Sequence, residues 1–524
     1  MTPYEVHTYS NATLRGLLAD KAKADPRVIA TKTQCAYFDS YFGKLAAKTI
    51  VVENEYVDRD FLEDFAAYYV RCHHQYDRRC TRLHFFKHPF VTADLVKLLR
   101  GEAGALTPIV LQQNYLGFIV VKPLPFTVIG RTCLHTYDDG QGCRCYPITR
   151  QYDASLFGIP LNVKTLAFQE QDSVVAACAT SALWSAFHGT GMLFQHAILS
   201  PVEITKAAST NLAGRSRNLP NSGLSAEQMA LAVRSVGLEP VVISATDEFV
   251  FKSTLYGYLG GRVPTLLLGA LFDTANGGNR YMGQHAVAVT GFGSDGASKA
   301  VGGPSGFLAK SCLIDRVYAH DDQVGPFARM RLDGVTVNVG TDADPQIVWS
   351  LSTSWQDGAG GTNAVRFVPQ MLLVLLYHKI RIPFELVQSA VLNFDDFIEF
   401  LRDHGVVPLA ERLKWDIYLT TVSDLKGNIF GDYDKALSPD LRHEVLSKPL
   451  PRFLWRATAR CANNPVADLL FDATDIEQGK YFVHSIKYDV TFASILEGAL
   501  GTPGIGPILA NLPRSAQTIL DQFK

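Results

Sequence analysis

Between residues 58 and 72 the apolar positions Phe61, Phe65, Ala66 and Tyr69 recur at helical spacing, which predicts a helix. Elsewhere in the first 150 residues the apolar positions fall in short runs. Residues 48–52 and Tyr115–Val121 predict strands, the second ended by Pro123 and Pro125. The central stretch alternates the two patterns. A helix is predicted from Ser225 to a stop at Gly237, and strands at 241–243, 265–268 and 283–292. Further on, residues 372–382 predict a strand and 395–404 a helix stopped by Gly405. Strands are again predicted at 415–422, 452–457 and 467–471. The mixture predicts the α+β class in three regions, 1–150, 151–345 and 346–524. The turn-rich residues 355–361 lie near the last boundary, and 501–506 form a loose terminal segment.

Composition narrows the classes. Apolar residues make up 47 % of the chain and charged residues 19 %, enough for sizeable cores and unlike a disordered chain. The net charge is −2, with lysine and arginine scattered, so no nucleic-acid partner is expected. The chain begins without a basic stretch leading into an apolar run. It also lacks a window near ~18 uninterrupted apolar residues. A cytoplasmic protein without a membrane partner is therefore expected. Nine cysteines, an odd number in a large chain, read as mostly free thiols in a reducing compartment.

Chemistry concentrates in the central region. The polar residues 169–173 give way to an alanine-rich, helix-favouring run containing Cys178, with Asp172 or Ser173 available as cap. A cysteine in the first helical turn sits where the helix dipole favours thiolate. Ser225 and Gln228 form a capping box, with Leu224 placed to staple Met229. His285 opens the predicted 283–292 strand, with Val287 and Val289 on its face. The apolar run from Leu313 ends in Asp321 and Asp322 before Gly325-Pro326. A thiol, an imidazole to take its proton and an acid to fix the ring are the parts that thiol catalysis needs.

In their order, Gln171, Cys178, Gly223-Leu224, Gly237, Pro264, His285 and Asp321 resemble the papain-like cysteine peptidases, in particular the C39-like branch of bacteriocin-processing peptidases. The resemblance covers residues 160–330. It implies a central papain-like fold, a helical half facing an antiparallel sheet half, flanked by two further α+β regions of unassigned role. It also implies a cysteine peptidase-like hydrolase acting on a peptide or isopeptide bond of a protein or peptide substrate. Cys178 would be the nucleophile and His285 the general base. Asp321 or Asp322 would orient the ring, and the Gln171 side chain with the Cys178 N–H would hold the oxyanion. Two departures stand out: Ala179 occupies a position usually glycine, and Gln171 lies seven residues before the cysteine, with Gln169 nine before. The same three groups also serve transglutaminase-like acyl transfer, and a papain-like module can be a silent binding or regulatory domain.

Other clusters carry weaker signals. Cys133, His135, Cys143 and Cys145 lack a standard zinc spacing, and Cys72, His73 and His74 would point around a helix away from Cys80 and His84. Gly257, Gly260 and Gly261 lack the Gly-Lys-Ser/Thr of a phosphate loop. Asp472 and Asp475 read as a solvated turn. No cofactor and no metal are expected. Asp315 sits mid-strand, about 20 Å from Asp321 at ~3.3 Å per residue, and is the least suited of the three acids to reach His285.

Overall fold

The computed structural model describes residues 3–138, 144–172, 174–175, 177–209, 223–275, 278–294, 302–341, 343–353, 364–431, 437–476, 481–502 and 504–524. The expected turn at 355–361, Ser173 and Cys143 lie outside the described residues. The chain is α+β, as its pattern predicts. No described helix is long and apolar enough to cross a membrane.

Two compact units form, and they cut the chain differently from the three linear regions expected. The first joins residues 1–246, 264–295 and 315–375; the second joins 247–263, 296–314 and 376–524. Residues 1–150 share a unit with the central chemistry because their polar side chains are spent inside it. On the helix Arg59–Ala67, capped by Asp58 as a helix-start acid should, Asp60 accepts the Trp184 indole N–H at 3.0 Å, and Asp64 accepts the Val202 N–H at 3.0 Å. This helix stops earlier than its pattern suggests, and a short 3-10 turn, Tyr69–Arg71, follows. The N-terminal sheet is antiparallel, in the order Tyr4–Thr8, Thr49–Tyr56, Cys80–Phe86, Tyr115–Val121, Ile129–Leu134.

A closed ring of six antiparallel strands forms the centre of this unit. Thr265–Asp273 pairs on one side with Arg280–Gly293 and on the other with Val365–Tyr377. The circuit continues through Arg316–Asp321, Gly325–Arg331 and Leu351–Ser352. Closure leaves none of the six with an open edge. One interior requirement is visible at Gly269, opposite His285. A Cβ there would lie 2.2 Å from the Val368 carbonyl oxygen and 2.4 Å from the Phe367 ring. The 17-residue helix Cys178–Phe194 packs Ala182, Leu183, Trp184 and Phe187 into one core with Ala286 and Ala288 of the barrel.

The second unit holds a five-stranded sheet ordered Leu308–Ala309, Lys414–Thr421, Phe453–Cys461, Asn464–Asp472, Phe482–Lys487. Its interior contains Arg456 paired with Asp468 at 2.8 Å, and Tyr488 O–H donates to the same carboxylate. The helix expected at 395–404 runs Phe384–Asp403, twice that length, because Pro383 starts it where proline is tolerated. Gly257, Gly260 and Gly261 are contact points, not a phosphate loop: Cβ atoms there would lie 2.7 to 2.8 Å from Phe384, Tyr418 and Leu419.

Candidate active site

Cys178 is the first residue of its helix, behind the N-cap residue Ala177. Among the described residues no side chain caps this end, so the first backbone N–H groups keep their donor capacity. Asp172 does not cap it: buried, it accepts the Val174 and Val175 N–H groups at 2.8 and 3.2 Å and the Tyr69 hydroxyl at 2.7 Å. It shapes the loop that delivers Cys178 instead of capping the helix.

His285 lies inside the 14-residue strand Arg280–Gly293, not at its opening. The strand begins three residues before the expected 283, at the exposed Arg280, Tyr281 and Met282, which gave no strand signal. A register shift opposite residues 281–283, with Gly283 at φ 138°, marks where the regular ladder begins. Ala288 pairs with His320 on the neighbouring antiparallel strand. Asp321 is thus level with Val287 and on the same face as His285, two residues along. The expected arrangement of strand-end acid and histidine is met: His285 Nε2 and Asp321 Oδ1 are 3.0 Å apart. The same oxygen accepts the Gln323 N–H at 3.0 Å, which fixes the carboxylate's rotation.

Asp322 Oδ1 is 3.9 Å from the same ring nitrogen, and its Oδ2 is buried without a hydrogen-bond partner. Burial pushes the Asp322 carboxyl up to about 7, with the Asp321 charge adding to the rise and His285 opposing it. Asp315 does not approach the histidine; it binds Arg316 at 2.6 and 2.9 Å. Burial disfavours charge on the His285 ring. That effect is outweighed by the charge and hydrogen bond of Asp321, by the side-chain contact with Cys178 and by the charge of Asp322. The ring's pKa is therefore raised well above its ordinary value. Phe367 packs against the ring at 6.3 Å between centroids.

Cys178, His285 and Gln171 share the wall of one cavity of about 670 Å³, together with Gly223, Leu224, Gln284, Gln323 and Gln370. The amide that reaches this cavity is that of Gln171; Gln169 is buried, with its side-chain nitrogen unpartnered. The predicted capping box forms, with Ser225 and Gln228 bonding reciprocally; Met229 of the helix Ala226–Ser235 and Leu224 just before its cap both line the cavity.

Among the described thiols, Cys35, Cys80, Cys133 and Cys312 are buried and burial pushes them up, Cys35 to about 11 and Cys133 to about 12. Cys178 is half-buried on the cavity wall.

One group of described residues could hold a metal ion: His285, Asp321 and Asp322 present ligand atoms within 4.8 Å of one another. Those oxygens favour any cation at the ring, the imidazolium proton included. The cysteine and histidine sets around residues 72–84 and 133–145 form no such group among the described residues.

Sequence reasoning missed Gln34, whose amide donates to the Asp322 carbonyl at 2.8 Å from 288 residues away. No local pattern signals that contact. Asp172 was legible only as an Asx turn, a reading that its position before a helix masked.

No family model matches this chain, and a search of curated proteins found no match.

Proposed function

We propose that this protein is a papain-like thiol hydrolase that cleaves a peptide or isopeptide bond. The observation carrying the proposal is that His285 is held by the Asp321 carboxylate on the wall of the cavity that Cys178, at a helix start, also lines. The closed antiparallel barrel facing a helix-borne thiol supports the papain-like reading of the fold.

The chemistry follows from these positions. His285 takes the Cys178 proton, and the sulfur adds to the substrate carbonyl carbon. The oxyanion meets the Cys178 N–H and the Gln171 amide. The C–N bond then breaks, with the His285 proton passing to the departing amine, and a thioester remains on Cys178. Water gives a proton to His285 and attacks the thioester, releasing the acid and restoring the thiol. With an amine in place of water, the same thioester yields a transferred amide.

Gln171→Ala is expected to lower kcat by about a hundredfold or more, with a smaller change in KM, read by steady-state cleavage.

The proposal is tested by incubating the full chain and its Cys178→Ala variant with host proteome and sequencing new peptide ends. Ends should form with the wild type only, survive chelation and incorporate oxygen from labelled water. Limiting iodoacetamide at neutral pH should mark Cys178 before exposed Cys145 or half-buried Cys72 and Cys461. Loss of activity on chelation would transfer the His285–Asp321–Asp322 group to a metal. Amine incorporation without hydrolysis would make the enzyme a transferase. Absence of ends, with Cys178 no more reactive than Cys145, would leave a binding module.

A further inference from the structure

A second cavity, of about 440 Å³, lies beside the one that holds Cys178. The two share Gln284 and Gln370 as lining residues. They are also joined along one strand. Leu268, Ala270 and Phe272 alternate on one face of Thr265–Asp273; the first lines the Cys178 cavity and the other two the second cavity.

The second cavity is aromatic and aliphatic. Its floor is the small core of Phe272, Val337, Val348 and Val368. The hairpin of Thr336–Asn338 and Ile347–Trp349 forms one wall, tied down by the Trp349 indole donating to the Thr246 carbonyl at 2.7 Å. Tyr281 forms another, 5.7 Å from Phe272 between ring centroids. Two of its apolar lining side chains stay open to solvent, Tyr281 at 55 % and Val339 at 37 % exposure. An exposed apolar patch at the end of a cleft marks a binding surface.

We infer that this cavity is a distal subsite of the same cleft, taking one bulky apolar side chain of an extended polypeptide substrate. The inference rests on the hydrolase reading for its occupant, and continuity with the Cys178 cavity selects that occupant. Tyr281 is four residues before His285, but the bulge between them leaves three ladder positions, Phe272 to Gly269, about 10 Å at ~3.3 Å per residue. An extended substrate therefore places there a residue three or four positions from the reacting bond. The Gln284 and Gln370 amides at the junction can bond the substrate backbone as it passes. Among the described residues that line the cavity there is no lysine, arginine or carboxylate, so a charged side chain would be desolvated without a partner.

The test uses a peptide library made by proteolysis of a cell extract. It is cleaved by the full chain and by Trp349→Ala/Tyr281→Ser, with folding of the variant checked by thermal melting. Wild-type cleavage windows should be enriched in Leu, Met, Phe, Tyr or Trp three or four residues from the cut, on one side. Burying one such side chain corresponds to about tenfold or more in kcat/KM. The double variant should lose that enrichment. No enrichment in the wild type, or enrichment that survives in the variant, overturns the subsite. A second arm needs no catalysis: the same library is equilibrated with Cys178→Ala protein and retained peptides are sequenced. Retained peptides should carry a bulky apolar residue, and Trp349→Ala/Tyr281→Ser should release them. Retention indifferent to those substitutions, or no retention, overturns the subsite even where no peptide is cut. Retention without cleavage by the wild type would instead remove the hydrolase reading and keep the subsite.

Discussion

His285→Ala should lower kcat for peptide cleavage by about five to six orders of magnitude, as much as loss of the nucleophile itself, because the two act as one unit. The ring is the acceptor for the thiol proton and the donor to the leaving amine; the acid on the cavity wall, Asp172, is engaged by the Tyr69 hydroxyl and the Val174 and Val175 N–H groups. The substitution also leaves Asp321 and Asp322 buried without a positive partner, which costs about 3–5 kcal/mol when a buried pair is broken. His285→Gln serves as a second variant, since its amide can still donate to Asp321. Both are compared with the wild type by calorimetry, so that lost activity is separated from lost folding. Cleavage by a folded His285→Gln protein within tenfold of wild type would remove the imidazole from the mechanism.

The same ring fixes the sign of a pH dependence. His285 has a folded pKa raised above the unfolded value. Its contribution to stability is fully present below about pH 6.5 and is lost as pH rises through the higher folded value. Asp322 acts in the same direction. Its carboxyl is pushed up to about 7 from an ordinary 3.8, so the folded chain binds more protons than the unfolded one between those values and stability falls as pH rises across them. Wild-type stability should therefore decline from acid to neutral pH more steeply than that of Asp322→Asn, as measured by denaturant unfolding at several pH values. Equal slopes would show that Asp322 keeps its charge in the folded chain.

The groups brought together here were legible because each sits at a local boundary that sequence marks. Cys178 stands where a polar stretch meets an alanine-rich run, Asp321 at the last residue of an apolar strand and Ser225 at a capping box. His285 was placed correctly beside Asp321 but too near the strand opening, because Arg280 to Met282 are exposed and lack alternation. Barrel closure left no local trace. It depends on Thr265–Asp273 meeting Val365–Tyr377 about a hundred residues later, and periodicity reports the faces of a strand without naming its partners. The two compact units cut across the linear three-region division for a related reason. Asp60, Asp64 and Gln34 look like solvated surface residues, and only long-range contacts reveal that their partners are Trp184, Val202 and Asp322.

The two adjacent acids differ sharply in what they can do, although in sequence they were interchangeable. Asp321→Asn should reduce kcat by about 10⁴-fold, the size expected when the acid that sets a catalytic imidazole's tautomer becomes an amide. Asp321 Oδ1 meets Nε2 at 3.0 Å and is locked by the Gln323 N–H, so it acts on the ring by direct contact. An asparagine can keep that spacing. If its nitrogen turns toward the ring, Nε2 must act as acceptor, the proton moves to the other ring nitrogen, and the ring no longer accepts the thiol proton there. Asp322 stands 3.9 Å away and makes no hydrogen bond to the imidazole. With its carboxyl held protonated up to about pH 7, it contributes little charge to the ring under mildly acidic conditions. Asp322→Asn should therefore cost less than about tenfold in kcat, at the level of a neighbouring dipole and not of an orienting acid. A structural role for Asp321 would lower stability and activity together. An orienting role lowers kcat at unchanged stability and flattens the pH–rate profile on the side governed by His285. Steady-state rates from pH 5 to 9 on both variants, beside their melting temperatures, separate the two. An Asp322→Asn loss equal to that of Asp321→Asn would assign ring orientation to the pair, and a larger one would reverse the roles.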